Sequence, residues 1–288
     1  MANRRVLVKR RKAIQNIRKI TRTMQLIATA RFQAAFGRAT ASRPYVERLA
    51  ELVAELSRGT GEASHPLLAT PAGDAPVAVL VLTSNRGLCG GYNAHVLRTA
   101  TARLDELAAA GTPTELHVFG KKGIGYFRFQ RRPMRAQHGD LGDTPRYEEV
   151  EPFATELMRR FLAGEISAVE VVHMRFHSAG LQRPEQVPLL PLRPPATAAA
   201  GEGVEYELRP GARELLDELL PATVRIRLFQ AFQEAAISEQ SARMVAMKAA
   251  TDAAEEMIRT ITRQYNRARQ THITMELLDI IGGANALS

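Results

Sequence analysis

Little in this sequence is suited to covalent chemistry. Among 288 residues there is one cysteine, Cys89, so neither an internal disulfide nor a paired-cysteine metal site can form, and a lone thiol fits a reducing compartment. Tryptophan is absent and aromatics make up only 6%, which leaves a base-stacking platform poorly furnished. No run approaches the ~20 apolar residues needed to span a bilayer, and no short apolar segment follows the basic start as a secretory leader requires. The seven histidines show neither H-E-x-x-H nor any other metal-ligand spacing. Acidic residues are missing from positions 1–46, which hold twelve Lys or Arg. The whole chain carries a net charge of +9, so the remainder is slightly acidic: one basic arm is joined to a nearly neutral body. With 45% hydrophobic and 24% charged residues, a globular chain of one large or two ordinary domains is expected.

Proline and glycine are missing where long helices need them to be. Neither occurs from Met1 to Phe36 or from Ala222 to Ile281, and Gly282-Gly283 then predicts a C-terminal stop. Sixty uninterrupted residues would make a helix about 90 Å long, which implies a coiled coil or rod. Steps of seven give Ile237, Met244, Thr251, Ile258, Tyr265 and His272, with a companion row Gln240, Met247, Ala254, Ile261, Ala268 and Met275. Two such rows offset by three form a coiled-coil seam. Near the N-terminus Ile14, Ile17, Ile20, Met24 and Ile27 follow 3-3-4-3 spacing; Tyr45, Leu49, Leu52 and Leu56 follow 4-3-4 beyond Pro44, where a kink or break is expected. The economical arrangement pairs the two terminal helices antiparallel. Between them, Val77–Leu82, Glu115–Phe119 and Val169–Phe176 read as strands, with helices over Asn93–Ala110 and Glu149–Leu162. This is the pattern of a small α/β domain with a largely parallel sheet. Residues 179–211 read as loop with one possible edge strand. The boundaries are therefore 1–60 for the N-terminal coiled-coil helix, 70–210 for the α/β domain and 211–288 for the C-terminal helix.

Several short motifs invite a chemical role. The run Ser84-Asn85-Arg86-Gly87-Leu88-Cys89-Gly90-Gly91-Tyr92-Asn93 follows a strand and precedes a helix, where phosphates often bind. It lacks both the G-x-G-x-x-G spacing and a Gly-Lys-Ser/Thr ending, so a tight structural turn built on Arg86, Gly87, Gly90 and Gly91 is favoured over a nucleotide site. Cys89 has His95 six positions on, but no acylation motif surrounds it, and an inert thiol is favoured over a nucleophile. Phe119-Gly120-Lys121-Lys122-Gly123-Ile124-Gly125 reads as a solvated turn with two lysines. On the basic arm, Arg4, Arg11, Arg18 and Arg22 fall near one helical face. A solvated face, docking on an acidic protein or membrane-side surface, and nucleic acid all remain open, with docking favoured because no nucleic-acid motif is present.

Three stretches carry a resemblance. Ser238–Asp252 (SEQSARMVAMKAATD) continues into Tyr265–Gln270 (YNRARQ), followed by Ile273-Thr274, Glu276-Leu277 and Gly282-Gly283-Ala284. Ile17–Ala28 (IRKITRTMQLIA) and R-G-L-C-G-G-Y-N lie upstream in the same order. Together they resemble the gamma subunit of rotary F-type ATP synthases across essentially the whole chain. The resemblance implies a Rossmann-like α/β domain plus a long antiparallel α-helical coiled coil formed by the N- and C-terminal helices. It implies three alpha and three beta subunits around a shaft, with the epsilon subunit and the membrane c-ring at its foot. The shaft carries torque and no catalytic residue, cofactor or metal, and neither binds nucleic acid nor spans the membrane.

Matched position by position, Met24, Arg243, Arg269, Gln270, Thr274 and Glu276 are expected as coupling and ring contacts. An acidic loop on beta is expected to face the shaft's positive charge. The apolar residues Leu277, Leu278, Ile280 and Ile281 would need an apolar socket if the C-terminal helix outruns its partner. Asn85 departs from the family's usual Asp, and Thr29-Ala30-Arg31 departs from its Ala-Ser-Lys-like residues. The plastid insert with paired cysteines is absent, so thiol regulation is not expected. No transit-like presequence is apparent, and the cytoplasmic side of a bacterial inner membrane is the expected location. The alternatives are a gamma-like adaptor of another assembly and a stand-alone enzyme using Cys89 or the glycine turn.

Overall fold

A computed structural model describes residues 4–59, 65–69, 74–192 and 212–287. In chain order the elements are α1 (Arg4–Gly59), β1 (Val77–Leu82), α2 (Tyr92–Ala109), β2 (Thr114–Phe119), α3 (Lys121–Phe129), β3 (Ala136–His138), α4 (Tyr147–Leu162), β4 (Ala168–Ser178), β5 (Leu181–Leu190) and α5 (Ala212–Leu287). The chain forms two compact units: residues 1–29 with 243–288, and residues 30–242. The unit boundaries fall inside α1 and α5.

The first unit is an antiparallel helix pair. Thr251 Oγ1 lies 2.9 Å from Thr21 Oγ1, Arg18 reaches Glu255 at 3.5 Å, and the Arg11 guanidinium sits 5.5 Å from the Tyr265 ring centre. Residue numbers rise on one helix as they fall on the other. Leu7, Ile14, Thr21 and Ala28, each seven apart, are buried on α1; Met247, Thr251, Ala254 and Ile261 are buried on α5. The α5 rows thus follow the heptad spacing as far as Ala268. The α1 seam differs from the expected face, because of that series only Ile14 is buried, while Ile17, Ile20, Met24 and Ile27 are exposed. Alanine and threonine on both sides let the backbones approach closely, and the larger side chains turn outward.

In the second unit the order β3-β2-β1-β4-β5 makes a Rossmann-like sheet. The first four strands are parallel, and β5 closes the edge antiparallel to β4. β1 is buried at all six positions, as a central strand covered on both faces must be. Val77, Val79 and Val81 pack with Val96, Ala100 and Leu104 of α2 and Phe127 of α3. Ala78, Leu80 and Leu82 pack with Ala154 and Phe161 of α4 and with Leu220, Leu228 and Phe232 of α5. Buried Arg160 holds Glu115 through contacts of 2.8 and 3.0 Å, and this pairing keeps the Glu115 carboxyl below its ordinary range.

Several expectations are corrected here. Lys121–Phe129 is a helix, not a solvated turn. Pro44 lies inside an uninterrupted α1, where Leu49 and Val53 are buried and Tyr45 is exposed; the side chain of Leu56 lies outside the described residues. Gly282-Gly283 does not stop α5, which continues to Leu287. Residues 181–190, placed in a loop with one possible edge strand, form a full edge strand, while 193–211 lie outside the described residues.

Gly120 joins β2 to α3 at φ +93°, and a Cβ there would stand 2.1 Å from the Thr83 carbonyl oxygen. Gly120→Ala therefore meets both a left-handed backbone and a backbone clash. It should lower stability by roughly 3 kcal/mol or more, read as an earlier urea midpoint with secondary structure retained below the transition. An unchanged midpoint would refute this packing.

Candidate functional surfaces

On the helix pair, Ile17, Ile20, Met24 and Ile27 recur at intervals of three, four and three, so they share one face of α1. Their exposures are 51, 55, 36 and 50%. A contiguous apolar stripe in water marks a contact surface rather than a core. On the same segment Lys9, Arg10, Lys12, Lys19 and Arg22 are exposed, and no acidic residue of that segment neutralises them.

The far end of α5 is a second surface. With Arg11 level with Tyr265, roughly 20 Å of α5 runs past Arg4 at 1.5 Å per residue. Every residue from Arg269 to Gly282 is exposed. Leu277, Leu278, Ile280 and Ile281 have exposures of 55–68%, too much apolar area for a helix end with no cover. Here the structure brings together four of the residues singled out by sequence. Arg269 and Gln270 precede Thr274, whose hydroxyl donates to the Gln270 carbonyl at 3.0 Å, and Glu276 pairs with His272 Nδ1 at 3.1 Å. Met24 is not with them: its helical level, near Thr251, lies about 35 Å away along the axis. Half-buried Arg243 stands further back again, where the first unit begins.

In the second unit the glycine turn closes on itself. Ser84 N–H donates to Asn93 Oδ1 at 3.0 Å and Ser84 Oγ donates to the Arg86 carbonyl at 2.7 Å. Asn93 Nδ2 reaches Cys89 Sγ at 3.3 Å, and the thiol is 2% exposed. The polar side chains of Ser84 and Asn93 are thus spent on the turn itself, as the favoured structural reading has it, and the sulfur is buried. Gly90 adopts φ +58°. Gly87 would tolerate a Cβ, 3.6 Å from the Lys122 chain, whereas one at Gly91 would displace His95. The Arg86 side chain is exposed.

The turn has another task that sequence reasoning missed. Helix α3 begins with free N–H groups, and three consecutive residues after β1 receive them. Asn85 Oδ1 accepts from Lys121 at 3.1 Å, the Ser84 carbonyl from Lys122 at 3.1 Å, and Thr83 Oγ1 from Gly123 at 2.9 Å. Asn85 also donates from Nδ2 to the Leu141 carbonyl at 2.6 Å. The usual Asp could accept from Lys121 but could not make that donation. Also unforeseen is an open groove of about 990 Å³ between α2 and α3, bordered by Arg98, Lys121, Tyr126 and a Phe129 that is 87% exposed. Reading Phe119–Gly125 as a turn concealed it. Among the described residues no cluster of metal-ligating side chains occurs, and no helix is long and apolar enough to cross a membrane.

Comparison with known proteins decides the family. The ATP synthase family model matches residues 3–287. The "ATP synthase gamma chain" of Rhodopirellula baltica is 42% identical over 100% of this chain and 99% of its own length. That of Gemmatimonas aurantiaca is 40% identical with the same coverage. The chain belongs to the ATP synthase gamma-chain family. It is accordingly a non-catalytic, central-stalk subunit of an ATP synthase. The fold is also that of the rotor in Euglena gracilis mitochondrial ATP synthase, at TM-score 0.62 and 16% identity over 94% of this chain and 98% of the other. The Tetrahymena thermophila central stalk matches at TM-score 0.57 and 18% identity, over 80% and 99%.

The double use of Asn85 sets an order of variants in this gamma chain. Asn85→Asp keeps the cap and loses the Leu141 bond, costing ~1 kcal/mol; Asn85→Ala loses both and costs ~2–3 kcal/mol. Urea unfolding should rank wild type, Asn85→Asp and Asn85→Ala in that order. Equal losses in the two variants would contradict the assignment.

Proposed function

We propose that the paired ends of α1 and α5 act as a torque-bearing shaft inside a ring of three alpha and three beta subunits. Its foot meets the epsilon subunit and the membrane c-ring, on the cytoplasmic side of a bacterial inner membrane. The observation that carries this is the buried hydroxyl pair of Thr21 and Thr251 in the seam. Thr251 Oγ1 donates to Thr21 Oγ1, and Thr21 Oγ1 lies 3.1 Å from the Arg18 carbonyl, to which it donates. A slip along the seam would break this contact and leave each hydroxyl only the carbonyl of its own helix, Arg18 for Thr21 and Met247 for Thr251, so the pair favours this register, as single buried polar contacts do in coiled coils. A shaft under load needs that resistance.

The working surfaces are the stripe of Ile17, Ile20, Met24 and Ile27 with its basic margin, and the projecting end of α5. Met24, Arg243, Arg269, Gln270, Thr274 and Glu276 are proposed as coupling contacts with the ring, and Leu277 to Ile281 as the part seated in an apolar bearing. Cations fixed on one helix face make the energy of the shaft differ with its angle inside a ring bearing acidic groups. Ion flow that turns the shaft then biases each site in turn.

Two experiments test this. A tag near the α/β domain should recover the chain from detergent-solubilised membranes in a native mass spectrum as one copy with three alpha and three beta subunits; a lone chain or a homodimer would overturn the proposal. Met24→Lys places a new cation in the exposed stripe. It should change the stability of the isolated chain by less than ~0.5 kcal/mol yet lower proton pumping per ATP hydrolysed in the complex. Unchanged pumping would remove Met24 from the coupling surface.

A further inference from the structure

Between the β4–β5 edge and α5, within the second unit, lies a cavity of about 200 Å³ whose polar lining residues are His173, Arg175, Arg227, Gln230 and Glu234 and whose other lining residues are apolar. Most of these groups are satisfied. Glu234 sits 3.2 Å from His173 Nε2 and accepts from Gln230 at 3.3 Å, and Arg175 donates to Glu185 at 3.1 Å. Arg227 has no hydrogen-bond or ion-pair partner among the described residues, and burial alone pushes its guanidinium below the ordinary arginine range. His173 is 3% exposed, and its Nδ1 is buried with no partner. A half-buried guanidinium without a counter-ion, beside a buried ring nitrogen with nothing to bond, is a costly arrangement unless something fills the space.

The missing group must carry negative charge for Arg227 and offer a hydrogen-bond donor to Nδ1 of His173, whose Nε2 faces the Glu234 carboxylate. A tetrahedral oxyanion that keeps a proton does both: two of its oxygens match the planar fork of Arg227, and its O–H can donate to Nδ1 of His173 while Nε2–H stays on Glu234. At ~30 Å³ per water, the cavity has room for such an ion with a few waters. It is smaller than the ~300 Å³ at which pockets for drug-sized ligands begin. We propose that this cavity is a binding site for a small oxyanion of the phosphate class, with Arg227 as its principal ligand and His173 as its second. The site belongs to the second unit and does not depend on the shaft proposal.

The test uses the purified full-length chain and inorganic phosphate, titrated against chloride at matched ionic strength. Phosphate should raise the melting midpoint of the wild type in a saturable way and broaden its own 31P signal, with sulfate competing. Arg227→Met keeps the aliphatic packing and removes the charge. It should weaken the response at least tenfold, yet melt no lower than wild type without phosphate, because the charge it removes is uncompensated. An equal response in Arg227→Met, or a lower midpoint for it in phosphate-free buffer, would overturn the proposal. If the variant does not fold, the wild-type 31P titration decides alone: non-saturable broadening, or none, overturns it. AMP, run in parallel, should not bind; AMP binding as tight as phosphate would overturn the small-ion assignment.

Discussion

Close approach of two long helices is the constraint on which the first unit depends. Helices of 56 and 76 residues gain little from their own hydrogen bonds and must be held by packing. Here the packing runs along a narrow line of Leu7, Ile14, Thr21 and Ala28 against Met247, Thr251, Ala254 and Ile261. Small residues at its centre shorten the distance between the backbones, and the two threonines at closest approach fix which residues face each other. Outside that line Ile17, Ile20, Met24 and Ile27 are left facing solvent. The same economy puts isoleucines and a methionine on the surface.

The second unit solves a different problem: seating a short helix on the end of a parallel sheet. Thr83, Ser84 and Asn85 leave β1 and take the first three N–H groups of α3, while Gly120 lets β2 turn into that helix against the Thr83 backbone. The cap and the clash-free glycine work together. The R-G-L-C-G-G-Y-N run that follows is a closed turn, with Ser84, Cys89 and Asn93 bonded among themselves. A nucleotide-binding appearance therefore arises from residues whose work is local architecture.

Much of this was legible beforehand, element by element. The apolar run of Val77–Leu82 and the alternation in Val169–Phe176 located the two central strands because burial on both faces leaves an unmistakable composition. The heptad rows of α5 were equally plain over Met247 to Ala268. On α1 the largest apolar residues were the misleading ones. A step of seven from Leu7 would have found the true seam, but Thr21 and Ala28 give a weak hydropathy signal. Helix α3 was hidden by Gly123, Gly125 and the preceding Gly120; the value of Gly120 and Gly123 lies in close contacts with Thr83 and Val118 that the local pattern does not show. The residues proposed as contacts at the end of α5 followed from resemblance, since an exposed Arg269 or Glu276 leaves no periodic trace.

By itself the sequence determined the long uninterrupted helices, the alternation of strand and helix between them, and a basic segment with no acid to neutralise it. These depend on composition and on spacing within one element, which the chain carries directly. Tertiary structure alone decided which face of α1 is covered, that Asn85 serves two elements at once, and that Arg227 and His173 share a cavity. Each of those facts is a distance between residues far apart in the chain, and burial and hydrogen bonding are properties of such distances.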